Sequence, residues 1–279
     1  MHPEYAKVKL PTEDTFFNTR GEVRKNKLHT VCEEARCPNR GECWSHGTAT
    51  FMVLGKNCSR NCKFCSVTHG HVEPLDPMEP RNVAAAAKEM GLKFVVITSV
   101  DRDDLPDQGA SHFASVVREV RATGAKVEVL IPDFRGDVNL VDIILRENPT
   151  VVAHNVETVR RLSPLIRDPR ASYDQSLSVL RHISSRGFIT KSSIMLGLGE
   201  TNEEVVQTMK DLADSGVSIL TIGQYLRPSK MQIPVVEYSP PSRFEEFREV
   251  GYEMGFHYVA SGPLVRTSYR AAEAWEAMR

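Results

Sequence analysis

Six cysteines lie between positions 32 and 65 of this 279-residue chain, and none occurs anywhere else in it. They form two triplets, Cys32-x4-Cys37-x5-Cys43 and Cys58-x3-Cys62-x2-Cys65. Three chemistries compete for such a set. A disulfide framework suits small secreted domains that lack a core, and this chain has neither that size nor a leader-like apolar run. Structural zinc calls for paired CxxC or Cys/His knuckles. Only Cys62-Lys63-Phe64-Cys65 has that form, with His46, His69 and His71 near enough in sequence to complete a shell. Iron–sulfur is the third reading. A cubane holds four irons, usually on thiolates, so two triplets suggest two clusters, each with one iron left for a small molecule or an unusual residue.

The rest of the composition excludes more than it selects. Hydrophobic residues make up 41% and charged residues 25%, an ordinary globular balance. Lys and Arg number 35 against 36 Asp and Glu, so no basic field advertises nucleic acid or a membrane surface. No run approaches the roughly 18 unbroken apolar residues of a membrane span. The expectation is a soluble, cytoplasmic protein.

From Thr50 the pattern alternates between apolar runs and helical stretches. Candidate strands are 50–54, 94–98, 127–131, 151–153, 188–195 and 219–222. Between them, helices are expected over Val83–Met90 with Asn82 as cap, Ala110–Thr123, Leu140–Glu147 and Asp174–Arg186. Thr201 with Glu204, and Ser242 with Glu245, have the form of capping boxes for two more. Strand–helix alternation predicts a parallel sheet with right-handed crossovers. Six units, two short of eight, predict an open, partial (β/α)6 TIM-type barrel over 48–262. An irregular cysteine-rich extension over 1–47 precedes it, and a tail over 263–279 follows.

Barrel enzymes put their chemistry at the C-terminal ends of the strands. The Cys58–Cys65 loop follows the first candidate strand. Ser99 and Asp101–Asp104 follow the second, Asp133 and Arg135 the third, His154, Asn155 and Glu157 the fourth. Gly197-Leu198-Gly199-Glu200 follows the fifth, and Gln224, Tyr225 and Arg227 the sixth. Each alone is ordinary loop polarity; six at one mouth suggest a site. Asn202 stands where a dinucleotide fingerprint needs its third glycine, so Gly197 and Gly199 are expected to let backbone approach a flat ligand instead. Lys191, on the fifth strand, is either a ligand contact or a buried residue with a local partner. Rim packing is the expectation for Tyr225, Arg227 and Met231.

Cys58-Ser59-Arg60-Asn61-Cys62-Lys63-Phe64-Cys65 resembles the CxxxCxxC signature of radical S-adenosylmethionine enzymes, with Phe64 before the last cysteine. Cys32-Glu33-Glu34-Ala35-Arg36-Cys37 through Cys43, the segments Ile97–Leu105 and His154–Thr158, and Arg266-Thr267-Ser268-Tyr269 resemble the lipoyl synthase family. Thr267 replaces the first serine of that family's Arg-Ser-Ser-Tyr motif. The resemblance implies two [4Fe–4S] clusters and S-adenosylmethionine. Cys58, Cys62 and Cys65 would hold the radical cluster; Cys32, Cys37, Cys43 and Ser268 would hold an auxiliary cluster that is consumed as sulfur donor. Phe64, Thr98, Asp101, Asn155, Glu157, Lys191 and Gln224 would lie near S-adenosylmethionine, and Arg266 would help to position Ser268. The implied substrate is an octanoyl-lysine on a 2-oxo-acid dehydrogenase lipoyl domain or a glycine-cleavage H protein, sulfurated at C6 and C8. Implied partners are a reductant such as ferredoxin or flavodoxin and an iron–sulfur carrier that rebuilds the donor, with no nucleic acid or membrane. Another two-cluster radical enzyme that inserts sulfur or modifies peptides, or a non-catalytic metal-binding scaffold, would share parts of this pattern.

Overall fold

Phe94-Val95-Val96-Ile97 is apolar at every position because a parallel strand is covered on both faces; Val95, Val96 and Ile97 are all buried. That logic recurs along the chain. The structure, a computed structural model, describes residues 3–6, 14–26, 28–45 and 49–279. These pack as two compact units. One comprises Val8–Asn61 and Ser66–Thr150; the other comprises Met1–Lys7, Cys62–Cys65 and Val151–Arg279. This division follows packing and cuts across the three segments outlined by the sequence.

The first unit carries strands β1 (His29–Thr30), β2 (Thr50–Val53), β3 (Phe94–Ser99) and β4 (Lys126–Leu130). β1 pairs antiparallel with β2, while β2–β3 and β3–β4 are parallel. Its helices include Glu79–Glu89, Ala110–Ala122 and Val138–Leu145. The second unit carries β5 (Val151–Ala153), β6 (Ile189–Leu196), β7 (Ile219–Gln224) and β8 (Tyr258–Gly262), each parallel to the next. Helices Tyr173–Ser185, Asn202–Asp214 and Pro241–Glu253 connect them. Leu196, Leu212, Leu220, Phe244 and Phe247 belong to the apolar core of this unit.

All six expected strands form, and two more join them. β1 and β8 are short or half-buried, so neither shows as an apolar run. The described part of the N-terminal extension contains regular structure: helix Asp14–Lys25 buries Phe16 against Trp44, their rings 5.4 Å apart. Two helices start elsewhere than their cap signals suggest. Asn82 lies inside Glu79–Glu89 because Pro80 opens that helix, and Pro241 similarly opens Pro241–Glu253 with no side-chain cap. The Thr201/Glu204 capping box is present as expected. Among the described residues no helix is long and apolar enough to cross a membrane.

Gly223 in β7 leaves room for the segment after β8. A Cβ at this position would lie 2.1 Å from the Val265 carbonyl oxygen. Gly223→Ala is expected to cost ~1–3 kcal/mol, the usual penalty of overpacking, and to open residues 263–270 to protease. Urea melts and limited proteolysis check this; a variant as stable as the parent would contradict the packing.

Candidate active site

Residue 60 is the arginine between the first two cysteines of the second triplet, and its side chain is 3% exposed. A buried guanidinium needs acidic partners. Arg60 has three, all within the first unit. Its Nε and Nη2 form a fork on Asp103 (2.8 and 3.0 Å), and its Nη1 reaches Asp133 at 2.7 Å and Asp101 at 3.3 Å. Asp103 also accepts from Ser59 Oγ and Arg135 Nε, each at 2.8 Å. Burial works to raise the Asp103 carboxyl, but the hydrogen bonds from Arg60 and Arg135 outweigh it and hold the group well below the usual carboxylate range. These carboxylates stand after β3 and β4, so the C-terminal strand ends of this unit grip the cysteine loop.

The chain enters that loop through a strained residue. Leu54 has φ of +71°, rare for a residue with a branched side chain. Its amide is held by Glu79 Oε2 at 2.9 Å, which also meets His112 Nε2 at 2.8 Å, and its carbonyl by Arg102 Nη1 at 3.1 Å. Beyond it, the Cys58 Sγ accepts from the Asp101 amide at 3.3 Å and the Arg60 amide at 3.4 Å. The Asp101 carboxyl lies 3.6 Å from the same sulfur. Burial pushes Asp101 up to about 6, against the pull of Arg60. Thr98 is buried on β3, its hydroxyl donating to the Leu130 carbonyl at 3.1 Å.

Cys32, Cys37 and Cys43 also belong to the first unit, and their thiols share one neighbourhood. Burial, followed by the proximity of Cys37, pushes Cys32 up to about 11. Burial, then Cys32 and Cys37, pushes Cys43 up to about 12. Two thiols that resist ionising, with a third beside them, suit a cationic iron–sulfur group, whose ligands are thiolates. No disulfide joins any of the six cysteines. Of the three histidines considered for zinc, His69 forms a bridge pairing with Cys58, His71 accepts from Asn57 through its carbonyl, and His46 lies outside the described residues.

In the second unit, Cys62 and Cys65 sit on a turn closed by the Cys65 amide on the Cys62 carbonyl at 3.0 Å. The Asp168 amide donates to Cys62 Sγ at 3.3 Å. Ile233 N donates to the Lys63 carbonyl and Gln232 Nε2 to the Cys65 carbonyl. Tyr225 and Arg227, expected only to pack at a rim, hold that 230–233 segment by hydrogen bonds to its carbonyls. Met231 is 89% exposed. Phe64 packs on the apolar core.

Asn155 and Glu157 follow β5 in the same unit. Asn155 Nδ2 donates to Glu157 Oε1 at 3.2 Å and to Thr267 Oγ1 at 2.9 Å; its Oδ1 is buried with no hydrogen-bond partner among the described residues. Glu157 has φ of +68°, and burial, opposed by Arg167, raises its carboxyl. Glu157, Ser193, Ile194, Met195, Gly223 and Val265–Thr267 line a cavity of about 110 Å³. Asn155 does not line this cavity itself, but both partners of its amide, Glu157 and Thr267, do, and a cavity at strand ends with these polar groups in its wall could take a hydroxyl-bearing ligand. Lys191 is fully buried on β6. Gln224 is fully buried too, its amide spent on the backbone of Leu196, Tyr225, Glu237 and Ser239. Gly197 makes space for that amide: a Cβ there would lie 2.1 Å from Gln224 Nε2 and 2.4 Å from the Glu237 carbonyl. A neighbouring side chain, and not a flat ligand, therefore accounts for Gly197. Ser268 is half-buried in the turn after Thr267.

Comparison with known proteins places this geometry. Residues 52–212 match the model of the radical SAM superfamily, and residues 1–37 match that of the N-terminal domain of lipoyl synthase. A lipoyl synthase from Picrophilus torridus is 61% identical over 98% of this chain and 96% of its own length. The chain belongs to the lipoyl synthase family. Lipoyl synthases from Thermus thermophilus and Myxococcus xanthus are 55% and 54% identical, over 96% and 97% of this chain and 85% and 92% of theirs. Among solved structures, methylornithine synthase superposes with a TM-score of 0.57 at 14% identity, covering 89% of this chain and 82% of its own. Coproporphyrinogen III oxidase from Escherichia coli gives 0.52 at 15%, covering 73% and 52%. These likenesses are of fold, and the partial β/α barrel expected from the sequence is the radical SAM fold.

Membership in the lipoyl synthase family makes the chain an enzyme of the radical SAM, sulfur-inserting class, which uses a [4Fe–4S] cluster and S-adenosylmethionine. The sequence marked Asp103 and Asp133 only as polar strand ends, and Asp101 also as a residue near S-adenosylmethionine. Their convergence on Arg60 was readable in one respect, that a charged residue inside a metal-binding loop needs an opposite charge. Replacing Arg60 with Met is expected to destabilise the protein by ~3–5 kcal/mol, because Asp103 and Asp133 lose the buried cation that compensates their charge. Chemical denaturation checks this. Adding Asp103→Asn should recover part of the loss, and no recovery would argue against the ion cluster as its cause.

Proposed function

We propose that this chain inserts sulfur at C6 and C8 of an octanoyl-lysine on a carrier protein. The observation that carries this reading is the presence of both cysteine triplets in a chain 61% identical to a lipoyl synthase over nearly its whole length. An aliphatic C–H bond offers no acid, nucleophile or leaving group for ordinary side chains to act on. When bound, S-adenosylmethionine and a reduced cluster supply a radical that takes hydrogen from such a bond.

The protein's part is to hold and shield. Cys58, Cys62 and Cys65 would ligate the radical cluster. The amides of Arg60, Asp101 and Asp168 already point at two of these sulfurs and would set the cluster's potential by hydrogen bonding. Asn155 offers a buried acceptor and Glu157 a buried carboxyl to the cofactor's hydroxyl groups. Thr98, Asp101, Phe64 and Lys191 would complete that site, while Gln224 would act through the backbone it holds. Cys32, Cys37, Cys43 and Ser268 would hold a second [4Fe–4S] cluster as the sulfur source. Ser268 would bind iron more weakly than a thiolate, which would suit a cluster that gives up its sulfur. In this reading residues 1–47 carry the donor, 48–262 the radical chemistry, and 263–279 the serine ligand.

The substrate carriers would be 2-oxo-acid dehydrogenase lipoyl domains or the glycine-cleavage H protein. Ferredoxin or flavodoxin would supply electrons and an iron–sulfur carrier would restore the donor, all in the cytoplasm.

Anaerobic protein with reconstituted clusters, S-adenosylmethionine, dithionite and an octanoyl-lysine peptide tests the reading by mass spectrometry. The expected product gains two sulfurs. Cys62→Ala should abolish 5′-deoxyadenosine, whereas Cys37→Ala should still form it and transfer no sulfur. Sulfur transfer by Cys37→Ala would refute the assignment of the first triplet.

A further inference from the structure

The tail after β8 meets the strand ends at one amide. Thr267 Oγ1 accepts from Asn155 Nδ2 at 2.9 Å, and Glu157 Oε1 accepts from the same nitrogen at 3.2 Å. An amide nitrogen has two hydrogens, so both are used. This fixes the amide's orientation and leaves Oδ1, buried and without a partner among the described residues, as the only group Asn155 can offer to a ligand. The tail itself forms part of the cavity wall, through Val265, Arg266 and Thr267, opposite Glu157 and the strand residues Ser193–Met195. Gly223, which admits the Val265 carbonyl, shows that this seat of the tail is built into β7.

We propose that Thr267 is a positioning residue which, through the Asn155 amide, couples occupancy of the cofactor site to seating of the tail segment that carries Ser268. The proposal rests on the function proposed above, which places S-adenosylmethionine at Asn155 and a cluster iron at Ser268. With Thr267 seated, Asn155 presents an acceptor to a hydroxyl of the cofactor. Without it, only the 3.2 Å bond to Glu157 holds the amide, and the acceptor is less firmly aimed. Coupling of this kind is reciprocal: the factor by which a seated tail tightens the cofactor is the factor by which the cofactor tightens the tail. The donor serine would then be held most firmly when a radical precursor is in place, and sulfur would be committed only when a radical can be formed.

The test uses the full chain with clusters reconstituted anaerobically, in parent, Thr267→Val and Thr267→Ser forms. S-adenosylmethionine affinity is read by equilibrium dialysis, and exchange of the 263–270 amides by mass spectrometry with and without it. In the parent and in Thr267→Ser, S-adenosylmethionine is expected to slow exchange across 263–270. In Thr267→Val, affinity should fall by roughly three- to tenfold, the worth of one hydrogen bond, and the added protection should vanish. Should valine prevent folding, Thr267→Ala gives the same readings. A role confined to packing would shift exchange in both states alike and would not be rescued by serine, and that result overturns the proposal. Equal affinity and equal protection in Thr267→Val also overturn it, with the proposed function intact. A parent protein that does not bind S-adenosylmethionine would instead refute the underlying reading of the site, and the coupling with it.

Discussion

Arg60 is a cation placed where water cannot reach it, and much of the first unit is arranged around that fact. Three carboxylates from the ends of two strands converge on it, and one of them is tied further to Ser59 and Arg135. Such a cluster contributes little net stability, since desolvation offsets most of the attraction. Its contribution is geometric. A loop that must present sulfur to a metal cannot rely on apolar packing for rigidity, because its cysteine side chains face the ligand. Buried ion pairs with fixed fork geometry supply the rigidity instead. The strained Leu54, held through both its amide and its carbonyl, sets the angle at which the chain enters this loop.

The two groups of cysteines meet different environments. The sulfurs of Cys58 and Cys62 already accept backbone hydrogen bonds, which lower the cost of negative charge. At Cys32 and Cys43 burial and neighbouring thiols outweigh the hydrogen bonds present and raise it. A cluster in the first setting gains electrostatic support from the protein. One in the second depends far more on its own iron.

Much of this was legible in the sequence where one residue type carries one chemistry. Cysteine spacing pointed to clusters, and β-branched runs alternating with capped helices gave the strand order. The Thr201/Glu204 box marked its helix because both partners are local. Signals failed where a distant contact decided. Gln224 stands at a strand end like a ligand residue, yet four backbone groups claim its amide, three of them 13 to 28 residues away along the chain. Ser242 with Glu245 has the form of a box, but Pro241 starts the helix and no cap bond is made. β8 hides because only one of its five residues is buried. Tyr225 and Arg227 brace the cysteine turn through a segment whose path no periodicity announces.

Close contacts at glycine also differ in what evolution can do with them. At Gly251 an added methyl would press on Val259 Cγ2 at 2.9 Å and Met209 Cε at 3.4 Å, both side-chain atoms. A smaller residue at 259 could open the space, so that pair can drift together. At Gly223 the obstacle is the carbonyl oxygen of Val265, which every amino acid carries. No second substitution at 265 removes it. Position 223 is therefore tied to the path of the tail rather than to any neighbouring residue. A lineage could lose that glycine only by rerouting the segment that bears Ser268.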